Sequence, residues 1–160
     1  MNRTRLSDSE FFRLARRAFD DVLKPHGFSC AESRRATFYR KASDFVWHLV
    51  TPVRSVRLPK YDVWVFPHSP AIEPSFVLKF PDHLSPATDV WCHLHPTEGI
   101  GLSQEWYSGR TEEGFVRNFD RFVAPALIEH AIPYLENIRE LDQLLPLIRS
   151  RYYREQADQI

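Results

Sequence analysis

The sequence contains no run approaching about 20 consecutive apolar residues, the length a helix needs to cross a bilayer, so no transmembrane helix is expected. Its opening, MNRTRLSDSE, is polar and no hydrophobic stretch follows it, which predicts no secretion signal. Two cysteines, Cys30 and Cys92, do not make a disulfide framework. Net charge is also missing: 21 Lys and Arg stand against 21 Asp and Glu. That balance excludes a disordered polyelectrolyte and argues against a generic basic nucleic-acid binder. These absences together predict a small cytoplasmic protein. Glycine is scarce, with 5 residues against 12 prolines, so the loops should be stiff and the helices interrupted.

The chain that remains has 160 residues, 43% of them apolar, and reads as one domain spanning 1–160. Such a length buries roughly 70% of the surface its unfolded form exposes, so it can hold a core without cross-links. Aromatics reach 14% of the chain. The neutral total hides a polarity. Residues 1–60 carry 13 cations and 6 anions, a net +7, and residues 61–160 carry 8 and 15, a net −7. The halves either neutralise each other within the fold or leave a dipolar surface that docks a charged partner.

Ser7 and Glu10 have capping-box spacing. Phe11, Leu14, Ala15, Ala18, Phe19 and Val22 form an apolar stripe at helical spacing. Pro25 ends this helix near Leu23 and Lys24. Strand signals follow at Phe28–Ala31, Thr37–Lys41, Phe45–Thr51, Tyr61–Phe66, Phe76–Phe80 and Val90–His95. Strands in succession point to an antiparallel meander. Thr111 can cap a second helix, in which Phe115, Phe119, Phe122 and Val123 share one stripe. Pro125 and Pro133 should kink the helical third, and Asp142 is a candidate cap for a last short helix. The tail at 152–160 is polar and should fray. The expected fold is α+β: an antiparallel sheet of five or six strands, with the N-terminal and C-terminal helices on one face.

The run DDVLKPHGFSC, followed by TFYRKASDFVWHLVTP, resembles the domain of unknown function 4304 family of bacteria. The matching positions are Leu23, Lys24, Pro25, Gly27, Phe28, Phe38, Tyr39, Arg40 and the apolar strand Phe45–Val50. The resemblance is strongest over residues 20–65. Where the family often has a Gln after that strand, this chain has Thr51-Pro52-Val53-Arg54. The motif implies a helix stop, a tight joint and core aromatics, and it carries no activity. Small domains of this general kind are also similar to immunity proteins of bacterial toxin systems.

His93 and His95 are the sharpest constellation. Residues two apart in a strand share a face, with Cα atoms about 6.5–7 Å apart, a workable spacing for two imidazole ligands of zinc, copper, nickel or iron. A third ligand would have to come from His48, Asp62 or His83, and Cys92 points the other way. The competing reading is a packing or solvent-facing pair beside Trp91. No Gly-x-Ser-x-Gly elbow and no Gly-rich phosphate loop occurs, so no catalytic residue, cofactor or metal is assigned. Asp82, Asp89 and Glu98 flank the His strand and could act as acid or base, although such residues are more often loop or cap groups. Arg34, Arg35, Arg40, Lys41, Arg54, Arg57 and Lys60 form a basic cluster that could meet phosphates. The acidic positions Glu112, Glu113, Glu129, Glu136, Glu140 and Asp142 could instead block a basic cleft. Strand phasing places Asp62, Trp64, Lys79, Trp91, His93 and His95 on the face away from the helices. The expected working surface there binds a protein partner such as a toxin, through Trp64 and Trp91 with Asp62, His93 and His95 around them. Alternatives are a metal-dependent enzyme using His93 and His95, or a nucleic-acid binder through the basic N-terminal half.

Overall fold

In the computed structural model, which describes residues 5–31, 35–72, 92–149, 154–155 and 158–160, helix α1 (Asp8–Leu23) starts at the expected capping box. The Glu10 amide donates to Ser7 Oγ at 3.3 Å, and the Ser7 amide donates to Glu10 Oε2 at 2.8 Å. Phe11, Leu14, Ala15, Phe19 and Leu23 are its buried stripe. A 3₁₀ turn, Lys24–His26, carries Pro25, and Gly27 closes it at φ 84°, a left-handed conformation that glycine adopts without steric cost.

An antiparallel sheet follows among the described residues. Its strands are β1 (Ser29–Cys30), β2 (Phe38–Lys41), β3 (Trp47–Arg54), β4 (Lys60–His68), β5 (Cys92–His95) and β6 (Gly99–Gly101), in spatial order β1 to β6. Strand β7 (Tyr107–Ser108) pairs with the start of β4. Phe45 lies outside β3, contrary to expectation. The turn before β3 folds the Ala42 and Ser43 amides onto the Val46 carbonyl, leaving Phe45 47% exposed. Strand β3 also runs on through Pro52. Its register with β2 ends at Phe38↔Val50, so Pro52 is flanked by β4 alone, where a missing N–H need not cost a ladder bond. The expected strand Phe76–Phe80 and the start of Val90–His95 lie outside the described residues, with Lys79, Asp82, His83, Asp89 and Trp91.

Thr111 caps α2 (Glu112–Asn118) by accepting from the Gly114 amide at 3.1 Å. The two later prolines do not end the helical run. A π turn at Phe119–Val123 precedes α3 (Ala124–Ala126), and another at Leu127–Ala131 precedes α4 (Ile132–Glu136). The Ala124 amide reaches back five residues to Phe119, and Ile132 likewise to Leu127. The wider turn makes room for a proline ring that would clash with the carbonyl four residues earlier in a regular α-helix. Glu140, rather than Asp142, caps α5 (Leu141–Leu144), in a capping box with Gln143.

The helices cover one sheet face. Phe11 and Phe19 of α1 meet Phe115, Phe119, Phe38, Val50, Val63, Val65 and Leu94 in the main core. Phe119 stacks on Phe115 at 5.9 Å and tilts against Phe19 at 5.0 Å. Arg40 ties sheet to helices. It lies 4.6 Å from the centroid of Phe28, donates to the His26 carbonyl at 2.8 Å, and pairs with Glu136 at 2.5 Å. That last pair joins the basic half of the chain to the acidic half, so part of the sequence polarity is neutralised internally.

Candidate functional site

The sheet face opposite the helices follows from period-two alternation. Register pairs Trp64 with His93, Thr51 with Trp64, Leu49 with Phe66 and Tyr39 with Leu49. Asp62, Trp64, Phe66, Trp47, Leu49 and Tyr39 therefore share this face with His93 and His95. Leu49 and Phe66 are buried, and the partly buried rings of Tyr39, Trp47 and Trp64 pack over them. Tyr39 and Trp47 lie 5.9 Å apart, centroid to centroid.

Asp62 organises the end of this row. It is fully buried. Its Oδ1 accepts from the Val63 amide at 2.8 Å. Its Oδ2 accepts from Trp64 Nε1 at 2.7 Å, from His93 Nδ1 at 2.5 Å and from Gln104 Nε2 at 3.3 Å. Three of these partners are fixed donors, and an ionised carboxylate, which is acceptor-only, takes His93 Nδ1–H as a fourth. Burial raises the pKa of Asp62, and the donors from His93, Trp64 and Gln104 oppose that rise. The carboxylate thus fixes the Trp64 indole, sets the His93 tautomer and anchors the loop after β6.

The two histidines are divided between tasks. His93 is nearly buried and gives Nδ1 to Asp62. His95 is partly exposed. Its Nδ1 accepts from the Thr97 and Glu98 amides at 3.3 and 3.1 Å, closing the turn into β6, and its Nε2 faces Glu105 at 3.3 Å. Of the other ligands considered, His48 sits on the helix side, bonded to the Ile138 carbonyl at 2.7 Å and to Arg40 Nε at 3.0 Å. His83 lies outside the described residues. Among the described residues no three His, Cys, Asp or Glu side chains gather as a metal-binding group. Cys92 points toward the helices, 3.8 Å from the Tyr134 hydroxyl, and burial pushes its thiol pKa up, as it does for Cys30. Raised thiols are poor nucleophiles.

Three members of the basic cluster are committed to internal bonds, while Arg57 and Lys60 are exposed. Arg40 holds Glu136, Lys41 holds Asp44 at 2.8 Å, and Arg54 holds Asp8 at 2.8 Å and the Leu6 carbonyl at 2.7 Å. Of the five residues expected at the working surface, the structure brings Asp62, Trp64 and His93 into one cluster, with His95 beside it. Trp91 lies outside the described residues. Sequence reasoning missed Gln104, whose contact is a loop-to-strand one with no local signal. It also missed Trp47 and Tyr39, although the Trp47/Leu49 alternation and hairpin pairing carried the information. Comparison with protein-family models, curated proteins and solved structures returned no match to the chain.

Proposed function

We propose that this chain is a protein-binding domain whose working surface is the sheet face of Tyr39, Trp47 and Trp64. Its role would be of the immunity type, neutralising a toxin by direct contact. The observation that carries this reading is the row of partly exposed aromatic rings on a rigid sheet, with the Trp64 indole fixed by a buried carboxylate. Aromatic anchors dominate interface energies, and anchors already held in place lose little entropy on binding. Asp62 and His93 then serve as positioning residues beneath the surface, because both are buried. The resemblance of residues 20–65 to the domain of unknown function 4304 family belongs to the same proposal. Its motif residues Gly27, Phe28 and Arg40 build the joint between α1 and the sheet.

The test starts from a protein that co-purifies with the chain from its native cells, isolated and titrated by calorimetry. A Trp47→Ala, Trp64→Ala double variant that stays folded is expected to bind it at least tenfold more weakly, since a buried Trp anchor contributes about 2 kcal/mol or more. Unchanged affinity in the folded double variant would overturn this surface.

A further inference from the structure

The hairpin joining β3 to β4 presents the most exposed large apolar side chain among the described residues. Val56 is 97% exposed and Leu58 49%. Such exposure usually accompanies a floppy loop, yet this one is pinned. Ser55 Oγ accepts from the Arg57 and Leu58 amides at 3.3 and 3.0 Å, and the Ser55 amide donates to the Lys60 carbonyl at 2.9 Å. The Gly109 amide holds the Pro59 carbonyl at 3.0 Å. Below the tip, Arg54 is fastened to Asp8 and lies 5.0 Å from the Phe11 ring centroid. Arg57 and Lys60 are exposed beside the two apolar side chains, and no carboxylate lies between Arg54 and Tyr61. The tip is therefore a rigid, projecting, apolar and purely cationic element.

We propose that this hairpin tip is a second contact element, which inserts Val56 and Leu58 into a carboxylate-rimmed apolar cleft of the protein partner. The inference rests on the protein-binding reading and extends it. Charge selects the occupant: the tip segment from Ser55 to Lys60 carries two exposed cations and no acid of its own, which favours an acidic rim. Magnitude argues against an anionic bilayer, because the Val and Leu side chains carry half the carbons of a myristoyl chain, which alone binds membranes only marginally. One partner can reach both elements. Lys60 and Trp64 lie four residues apart along β4, about 13 Å at strand rise. A standard interface covers about 800 Å² on each partner, roughly 30 Å across.

A photo-crosslinking amino acid placed at position 56, at position 47 and at the exposed control position 17 of the full chain in its native cells tests this. The proposal expects one discrete protein adduct at 56 and at 47, none at 17, and an Asp- and Glu-rich crosslinked peptide from position 56. Arg57→Glu with Lys60→Glu should lower the yield at 56 at least fivefold. An adduct at 47 alone overturns the tip and leaves the sheet-face reading standing. A lipid adduct at 56, or a peptide without carboxylates, overturns the acidic-cleft assignment. Absence of protein adducts at both positions overturns the tip together with the binding reading.

Discussion

Acidification should unfold this protein partly through one buried imidazole. His48 is 1% exposed, with Nε2–H donating to the Ile138 carbonyl and Nδ1 accepting from Arg40 Nε. Both ring nitrogens are used by the neutral form. A second proton on Nδ1 would face the Arg40 guanidinium. Burial lowers the pKa of His48 most, the Ile138 carbonyl opposes, and Arg40 lowers it further, bringing it from 6.5 to about 4. In the unfolded chain the ring titrates near its ordinary value of about 6.5. Between these values the unfolded state binds more protons than the folded one, so stability rises with pH across the window. The contribution is complete above about pH 6.5 and lost as pH falls to about 4. Its size is about 3 kcal/mol, at about 1.36 kcal/mol for each decade of proton affinity. Other groups titrate in the same range, so the useful quantity is a difference. Urea unfolding of the native chain and of His48→Gln, which does not titrate, should be compared from pH 4 to pH 8. The native chain's advantage at pH 7 should shrink by about 3 kcal/mol on reaching pH 4. A difference constant to within about 1 kcal/mol, or a His48 pKa above 6 by NMR titration, would refute the reasoning.

Phe119→Ala should cost about 3–5 kcal/mol in denaturant unfolding, since it empties a site between Phe115 and Phe19; a loss below about 1 kcal/mol would mean the stripe is not core. Tyr61→Phe should be neutral or stabilise by about 1 kcal/mol, because the fully buried Tyr61 hydroxyl finds no hydrogen-bond partner among the described residues; a clear loss of stability would reveal a bond that the hydroxyl makes. Asp62→Ala should cost about 3–5 kcal/mol by stranding the buried donors of His93 and Trp64. The isosteric Asp62→Asn keeps the volume and one acceptor oxygen and should cost less; equal losses for the two would mean that the lost charge alone accounts for the cost.

Local chemistry made much of this fold legible. The Ser7/Glu10 pair, the φ 84° joint at Gly27 and the Thr111 cap each act within four residues, so their spacing in the sequence is their mechanism. Period-two alternation correctly grouped Asp62 and Trp64 with His93 on one face, because the pleat admits no other phasing. Strands β6 and β7 escaped notice, since Gly99-Ile100-Gly101 lacks β-branched character at its ends and Tyr107–Ser108 pairs only two residues. Pro125 and Pro133 marked where the regular α-helix is interrupted, but propensity cannot anticipate that the interruptions take the form of π turns. The knot around Asp62 needed Gln104, 42 positions away, to meet it across a turn, and no spacing rule reports such a contact. The His-x-His pair suggested metal. The spacing shows the shared face but not how each ring is used: Nδ1 of His93 bonds Asp62, and Nδ1 of His95 accepts within the turn before β6.

The sheet-face claim is tested most directly by hydroxyl-radical footprinting of the chain alone and saturated with its purified partner. Tyr39, Trp47 and Trp64 are partly exposed in the free chain, so each has a measurable oxidation rate to lose. The account predicts that all three rates fall severalfold in the complex, while rings on the helix side, such as Phe122, change little. Unchanged rates at Trp47 and Trp64, with protection appearing instead around Glu112, Glu113 and Val116 of α2, would contradict it and move the interface to the acidic helices.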